Sequence, residues 1–332
     1  MTETTVREND GLLFISWAPF CSRSDNIARE LGGCSVMIYH SFWGSHYATI
    51  LFKYLSQMVH TLFVLISNRP KYIFVMAPPV AAVLPVWLYA RFTRARFIID
   101  AHTAAFADRR WQLLQFIQRF FSRRALSTLV TNGHWRDLVE SWRARSDIVP
   151  DVPVLFPVPS YSELPEAPNI LVVCTYTYDE PISELLDAAR LVPEVHFHFT
   201  GDFRRLDARV RGGKPDNVTF TGFLRADKYA GMLMRCTAVM CVTTVDHTMQ
   251  RGAYEAAYLG RPIITSNFDI LRAAFPVGAV FVAGSSEAMA AGVREMCQDV
   301  SRYEREAGEL RDRKQRNWAV VKGQLNQLIG HV

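Results

Sequence analysis

The chain has no GxGxxG run after its first apolar segment, which ends in "SWAPFCSRSDN", and no GxxxxGK[ST] run at all. Both are loops that grip phosphate, so a dinucleotide dehydrogenase and a P-loop enzyme are not expected. HExxH, GxSxG and CxxC are also missing, which leaves zinc hydrolase, serine esterase and dithiol redox chemistry without support. Cysteines are few, and the six (Cys21, Cys34, Cys174, Cys236, Cys241, Cys297) lack metal-site spacing. Reduced thiols in a cytoplasmic protein are the simplest reading. Met1 to Gly11 is polar and acidic with no basic flank leading into an apolar run, so no signal peptide is expected. There is no internal repeat and no low-complexity segment.

What is present is enough for two cores: 332 residues, about half of them apolar. The net charge of +5 is unevenly placed. Residues 1–158 carry 17 Lys/Arg against 11 Asp/Glu, and residues 159–332 carry 20 against 21. The excess in the first half suits an anionic partner such as a membrane surface, a phosphorylated lipid or nucleic acid. Nucleic acid is the weakest of these, because the basic residues interleave with an apolar helix instead of surrounding stacking aromatics.

Short runs rich in β-branched and aromatic residues alternate with helix-length segments. The expected strands are Leu12 to Ser16, Cys34 to His40, Tyr72 to Ala77, Arg96 to Ala101, Ser127 to Thr131 and Val152 to Phe156 in the first half. In the second they are Ile170 to Thr175, Val195 to Thr200, Val218 to Thr221, Ala238 to Thr243, Pro262 to Ser266 and Ala279 to Val282. Two β-α series predict an α/β chain with two parallel sheets. The proline-rich "FPVPSYSELPEAPN", 156–169, reads as a linker, which places domains at 1–158 and 169–317 around a connection at 159–168. A final helix starting near Trp318 is expected to return to the first domain, so the tail 318–332 is grouped with it.

Two apolar stretches require a membrane test. Tyr72 to Ala90 carries no charge, but Pro78, Pro79 and Pro85 interrupt it, so a strand, a turn and a helix fit better than a span. Tyr54 to Asn68 is shorter and reads as a core or interfacial helix. The segment "RRWQLLQFIQRFFSRRA", 109–125, places Leu113, Leu114, Ile117, Phe120 and Phe121 at helical spacing between arginines. It suits a helix in the headgroup region of an anionic bilayer, or equally an amphipathic helix packed on its own sheet.

The chemistry concentrates in "TTVDHTMQRGAYEAAYLGRPIITS", 243–266, a polar loop entering a helix near Gln250 and Gly252. Free N–H groups at a helix start attract a diphosphate, and Gly252 would let it approach with no Cβ in the way. Glu255 then stands within reach of ribose hydroxyls; alternatively it is a first-turn glutamate favouring the helix dipole.

These residues resemble the donor-binding signature of GT-B glycosyltransferases, especially the large retaining family of bacterial hexosyltransferases (glycosyltransferase family 4-like). Glu255-Ala256, Gly260, Pro262 and Ile263 match the second half of that signature, while His247 stands eight positions before Glu255, where the family has a sugar-reading glutamate. The resemblance implies two Rossmann-like domains facing a cleft, with the C-terminal helix crossing back. It implies a hexose-type sugar moved from a nucleotide-diphosphate donor, UDP-sugar favoured over GDP-sugar, to a lipid-linked or glycan acceptor in cell-surface polysaccharide or glycolipid synthesis. No metal and no cofactor beyond the sugar nucleotide is implied, and stereochemistry is left open by His247. Thr175, Arg204, Phe223, Leu224, His247, Gln250, Arg251, Gly252 and Glu255 are the implied donor residues. Glu180 and Pro181 stand where the family often carries a Lys-Gly phosphate pair, so Arg204 and Arg251 are expected to meet the phosphates.

The first half is expected to bind the acceptor. "FIIDAHTAAF", 97–106, ends a strand with Asp100 and His102, the candidate general bases for an inverting reaction, with His102 as a donor-sugar ligand if the reaction retains. It also looks like the Asp-x-His of the chitobiosyl-diphosphodolichol mannosyltransferases. Ser22, Arg23 and Asn26 follow the first strand and are candidates for an acceptor phosphate or the donor diphosphate; alternatively Ser24 or Asp25 caps the helix and the arginine is solvated. The implied location is cytoplasmic, peripheral at the inner face of the cell membrane through 109–125. A hydrolysing sugar-nucleotide 2-epimerase and an inactive GT-B partner subunit are the other readings.

Overall fold

The computed structural model describes residues 11–43, 47–161, 163–166 and 168–330, and the leader reading at Met1 to Asp10 lies outside them. The chain forms two compact units, one of residues 1–152 with 318–332 and one of residues 153–317.

In the first unit the strands are β1 (Leu12–Ser16), β2 (Cys34–Met37), β3 (Tyr72–Ala77), β4 (Arg96–Ala101), β5 (Ser127–Val130) and β6 (Ser146–Ile148). Its helices are α1 (Ser22–Glu30), α2 (Tyr47–Asn68), α3 (Val83–Phe92), α4 (Ala104–Ala107), α5 (Arg109–Gln112), α6 (Gln115–Ser122) and α7 (Gly133–Ser141). In the second unit the strands are β7 (Asn169–Val172), β8 (His196–Thr200), β9 (Val218–Gly222), β10 (Ala238–Cys241), β11 (Ile263–Ser266) and β12 (Ala279–Val282). Its helices are α8 (Ile182–Leu191), α9 (Ala208–Gly212), α10 (Ala226–Arg235), α11 (Arg251–Tyr258), α12 (Asp269–Ala274) and α13 (Ser286–Gln298). The last helix, α14 (Val300–Leu328), gives Tyr303 and Leu310 to the second unit's core and Trp318 and Leu325 to the first's. It does not break at Trp318, where a new helix was expected.

Both sheets have six parallel strands, ordered β2-β1-β3-β4-β5-β6 and β12-β11-β10-β7-β8-β9. Strands such as β1, β5, β7 and β10 are buried throughout and mostly apolar, because helices cover both faces. Each sheet has one point where the strand order reverses, β1/β3 in the first and β7/β10 in the second. Loops leaving the C-terminal ends of strands there form the crevice in which open α/β sheets hold ligands.

Three expectations are corrected. Val152 to Phe156 is not a strand, because Pro150 and Pro153 remove ladder donors; the sixth strand is instead the polar Ser146–Ile148 at the sheet edge. Residues 109–125 are two short helices separated at Leu113 and Leu114 and not one. The proline-rich segment is no free linker: Ser160 N donates to the Asp227 carbonyl and Phe156 packs against the second unit's core. Gly231 permits this approach, since a Cβ there would meet the Ser160 carbonyl oxygen at 2.2 Å.

Candidate functional site

The second unit gathers its polar loops at the β7/β10 reversal. The loop after β10 is stitched to the loop after β7 by Thr244 N donating to the Asp179 carbonyl at 2.7 Å and Thr243 Oγ1 donating to Asp179 Oδ2 at 3.1 Å. From there the chain enters α11, whose N-cap Gln250 makes no side-chain cap hydrogen bond. The Gln250 side chain thus does not fill the helix start, whose positive dipole end suits an anion. Gly260, at φ +67°, ends the helix in the left-handed cap position.

Glu255 is buried on α11, and its carboxylate accepts from the Tyr229 hydroxyl at 2.6 Å and from Arg251 Nε at 3.3 Å. Neither the sequence motif nor its spacing pointed to Tyr229, which stands on α10. Burial, and then the neighbouring Glu255, push the Tyr229 hydroxyl well above its ordinary pKa, so it remains a hydrogen donor. Gly252 serves a different purpose from the one expected. A Cβ at this position would meet Val173 Cβ and Cys241 Sγ at 2.8 Å, so the glycine seats the helix on the sheet and does not clear space for phosphate. His247, in the place of the expected glutamate, adopts φ +58°, a conformation that costs a non-glycine residue about 1 kcal/mol. Its N–H donates to Asp246 Oδ1 at 2.6 Å.

Glu180 occupies the loop after β7. Its carboxylate accepts from Thr175 N at 3.0 Å and Thr177 N at 3.1 Å, and from Thr175 Oγ1 at 3.2 Å. Converging amides of this kind make an anion nest, here filled by the chain's own carboxylate. Burial raises the Glu180 pKa against the opposing pull of those amides. Burial first, then the charges of Glu255 and Glu180, push the Cys241 thiol well above its ordinary value, which sets both carboxylates around the end of β10.

The remaining donor candidates fall nearby with mixed engagement. Arg204 is exposed and pairs with Asp202 at 2.7 Å, while its neighbour Arg205 donates to the Thr175 carbonyl at 3.1 Å. Phe223, just past β9, is 86 % exposed, and Leu224 is partly buried against the core.

In the first unit Asp100, next to last in β4, is fully buried. Arg23 reaches it with Nε at 3.1 Å and Nη2 at 3.1 Å, and also donates to the Val149 and Pro150 carbonyls. Arg23 is thus an internal strut and not a solvated or phosphate-facing arginine; Ser22 and Asn26 share its helix, Asn26 buried. Burial alone would raise the Asp100 pKa, but the Arg23 charge and the His102 hydrogen bond hold it well below the usual carboxylate range. An ionised carboxylate only accepts, so His102 Nε2, 3.2 Å from Asp100 Oδ2, carries the hydrogen. Nδ1 is the other ring nitrogen, on a side chain that is 30 % exposed. Asp100 thus anchors the His102 ring through Nε2, a pairing that the sequence left open.

Residues 167–299 match the family model of the glycosyl transferases group 1, which covers the second unit's sheet and its loops. Known structures align over nearly the whole length. The chain has the GT-B glycosyltransferase fold. Sucrose-phosphate synthase (tll1590) from Thermosynechococcus elongatus aligns over 96% of this chain and 98% of its own, at TM-score 0.70 and 14% identity. Anabaena Alr3699/HepE in complex with UDP and glucose aligns over 97% and 99%, at 0.72 and 12% identity. A putative UDP-N-acetylglucosamine 2-epimerase from Listeria monocytogenes aligns over 96% and 98%, at 0.60 and 11% identity. No curated protein sequence matches. In the GT-B fold observed here, the uncapped α11 start and Glu255 lie inside the family-matched segment.

Proposed function

We propose that this protein is a glycosyltransferase that takes a hexose-type sugar from a nucleoside diphosphate, UDP favoured, and passes it to a lipid-linked or glycan acceptor. The observation that carries the reading is the α11 start at the β7/β10 reversal, with a buried, oriented carboxylate at Glu255 one turn in. The helix start takes the diphosphate, and Glu255 takes the ribose hydroxyls. As the sugar departs, negative charge grows on the diphosphate. The N–H groups and dipole of α11, with Arg251, oppose that charge without a divalent cation. His102 Nδ1 removes the acceptor proton if the reaction inverts, and Asp100 stabilises the imidazolium that results. The HepE complex with UDP supports the choice of base by fold likeness. The proposed setting is the inner face of the cell membrane, in synthesis of surface polysaccharide or glycolipid.

Glu180 favours a second reading, a partner subunit that binds but does not turn over, because it places a carboxylate in the nest beside the helix start. Incubating the full chain with UDP-sugars, a membrane lipid extract and EDTA separates the two. Acceptor-dependent release of UDP supports the transferase; bound but unconsumed donor supports the partner subunit; release of UDP and free sugar without acceptor supports an epimerase-like hydrolysis instead.

A further inference from the structure

Helix α2 is built inside out. Its inward row is Lys53, Gln57, Thr61 and Leu65, all buried and three of them polar. Gln57 Nε2 donates to the Ile38 carbonyl at 2.7 Å, Trp17 Nε1 donates to Thr61 Oγ1 at 2.9 Å, and Lys53 sits 3.9 Å over the Tyr39 ring. Its outward row is Leu51, Phe52, Leu55, Val59, Phe63 and Ile66, with Phe63 69 % exposed. A water-facing helix shows the opposite arrangement. By length and composition Thr49–Asn68 is apolar enough to cross a membrane. Its inner row, however, is bonded to its own unit along the helix, which is the geometry of a helix lying flat on an apolar medium.

The charge around it identifies that medium. Helices α2, α3 and α6 cover the same face of the first sheet, sharing one core with Ile15, Val75 and Ile99. From residue 41 to residue 131 there are 11 Lys/Arg and two Asp, and one of the two, Asp100, is fully buried. At the far end of α3, Phe92 is 83 % exposed beside Arg91 and Arg94. Arg91, Arg96, Arg124 and Trp87 line an open groove of about 480 Å³. Apolar projections rimmed by arginines, with almost no acidic side chains between them, match a bilayer whose surface is anionic.

We infer that the first unit docks on an anionic phospholipid bilayer through the outward row of α2, with the arginines of α3 and α6 taking lipid phosphates. The inference rests on the membrane-side part of the proposed function and is independent of its donor chemistry. It also moves the embedded element from 109–125, broken into two short helices, to α2.

Flotation of the full chain with phosphatidylcholine vesicles, with and without phosphatidylglycerol, tests it. The wild-type chain should float with the anionic vesicles, and Phe52→Ser/Phe63→Ser should lose roughly tenfold or more in partitioning, since two large apolar side chains leave the lipid. Both side chains are exposed, and an unchanged circular dichroism melt confirms that the variant is folded. Arg91→Ser/Arg124→Ser should abolish the preference for anionic vesicles. Wild-type protein that stays in the buffer, or a Phe variant that floats equally well, overturns the inference. So does a dimer in solution that the Phe variant converts to monomer while flotation is unaltered, since the row would then cover a second copy. UDP binding in the same variants should stay at wild-type strength, so that failure at the membrane and failure at the donor site are distinguishable.

Discussion

Tyr229 donates its phenolic hydrogen to Glu255 at 2.6 Å, joining α10 to the start of α11. With Arg251 on the other carboxylate oxygen, this bond sets the rotamer of a buried anion that would otherwise swing. Tyr229→Phe should therefore cost about 1 kcal/mol of stability and weaken nucleotide binding roughly three- to tenfold, as read by calorimetry. Glu255→Gln should weaken it further, because an amide accepts with only one oxygen.

Glu180 holds the amide nest next door, and a carboxylate there repels a diphosphate. Glu180→Ala should tighten UDP binding by roughly fivefold, the gain growing as salt is lowered. A variant that binds more weakly than the wild type would mean that the nest shapes the donor loop instead of opposing its ligand.

The Asp100–His102 pair should separate chemistry from binding. His102→Ala is expected to cut sugar transfer by about 10² to 10⁴ while calorimetric UDP binding stays the same. Asp100→Asn strands the buried Arg23 charge and should cost about 3 kcal/mol or more in denaturant melts. Equal transfer rates in wild type and His102→Ala would remove the histidine from the mechanism.

His198 gives the fold an acid limit. It is buried on β8 with Nε2 2.8 Å from Asn169 Oδ1, and burial, then His196, lower its pKa from 6.5 to about 4. The unfolded chain takes the proton first as pH falls, so the stability from neutral His198 is full above pH 6.5 and is lost as pH drops through about 4. The loss is about 2 kcal/mol after allowance for solvent screening of the ring. Thermal melts between pH 7 and pH 4 should show it, and His198→Gln, which keeps a donor but does not titrate, should flatten the profile.

Most strands were legible because runs such as "LLFIS" and "YIFVMA" are apolar on both faces, the mark of a covered parallel sheet. The exceptions have local causes. Ser146–Ile148 carries an aspartate because it is an edge strand, and Val152 to Phe156 resembles a strand only if its flanking prolines are ignored. The position of Glu255 near a helix start was legible from "QRGAYEAAYLG", since polar loops and glycines are local signals, whereas the lack of a Gln250 side-chain cap was not. Its partner Tyr229, 26 residues away, was not, and neither was Arg23 bridging 77 residues to Asp100. Such contacts depend on how strands are ordered in the sheet, which no short window contains. The Gly252 environment was hidden for the same reason: Val173 and Cys241 come from two other strand ends.

The proposed function stands on nucleoside diphosphate binding at the α11 start and Glu255. Isothermal titration of the full chain with UDP, GDP, ADP and CMP tests it most directly, run in parallel on Glu255→Gln. Saturable binding of UDP ahead of the other three is expected, with at least roughly tenfold loss in the variant. Absence of binding for all four nucleotides, or a variant that binds UDP as the wild type does, would contradict it.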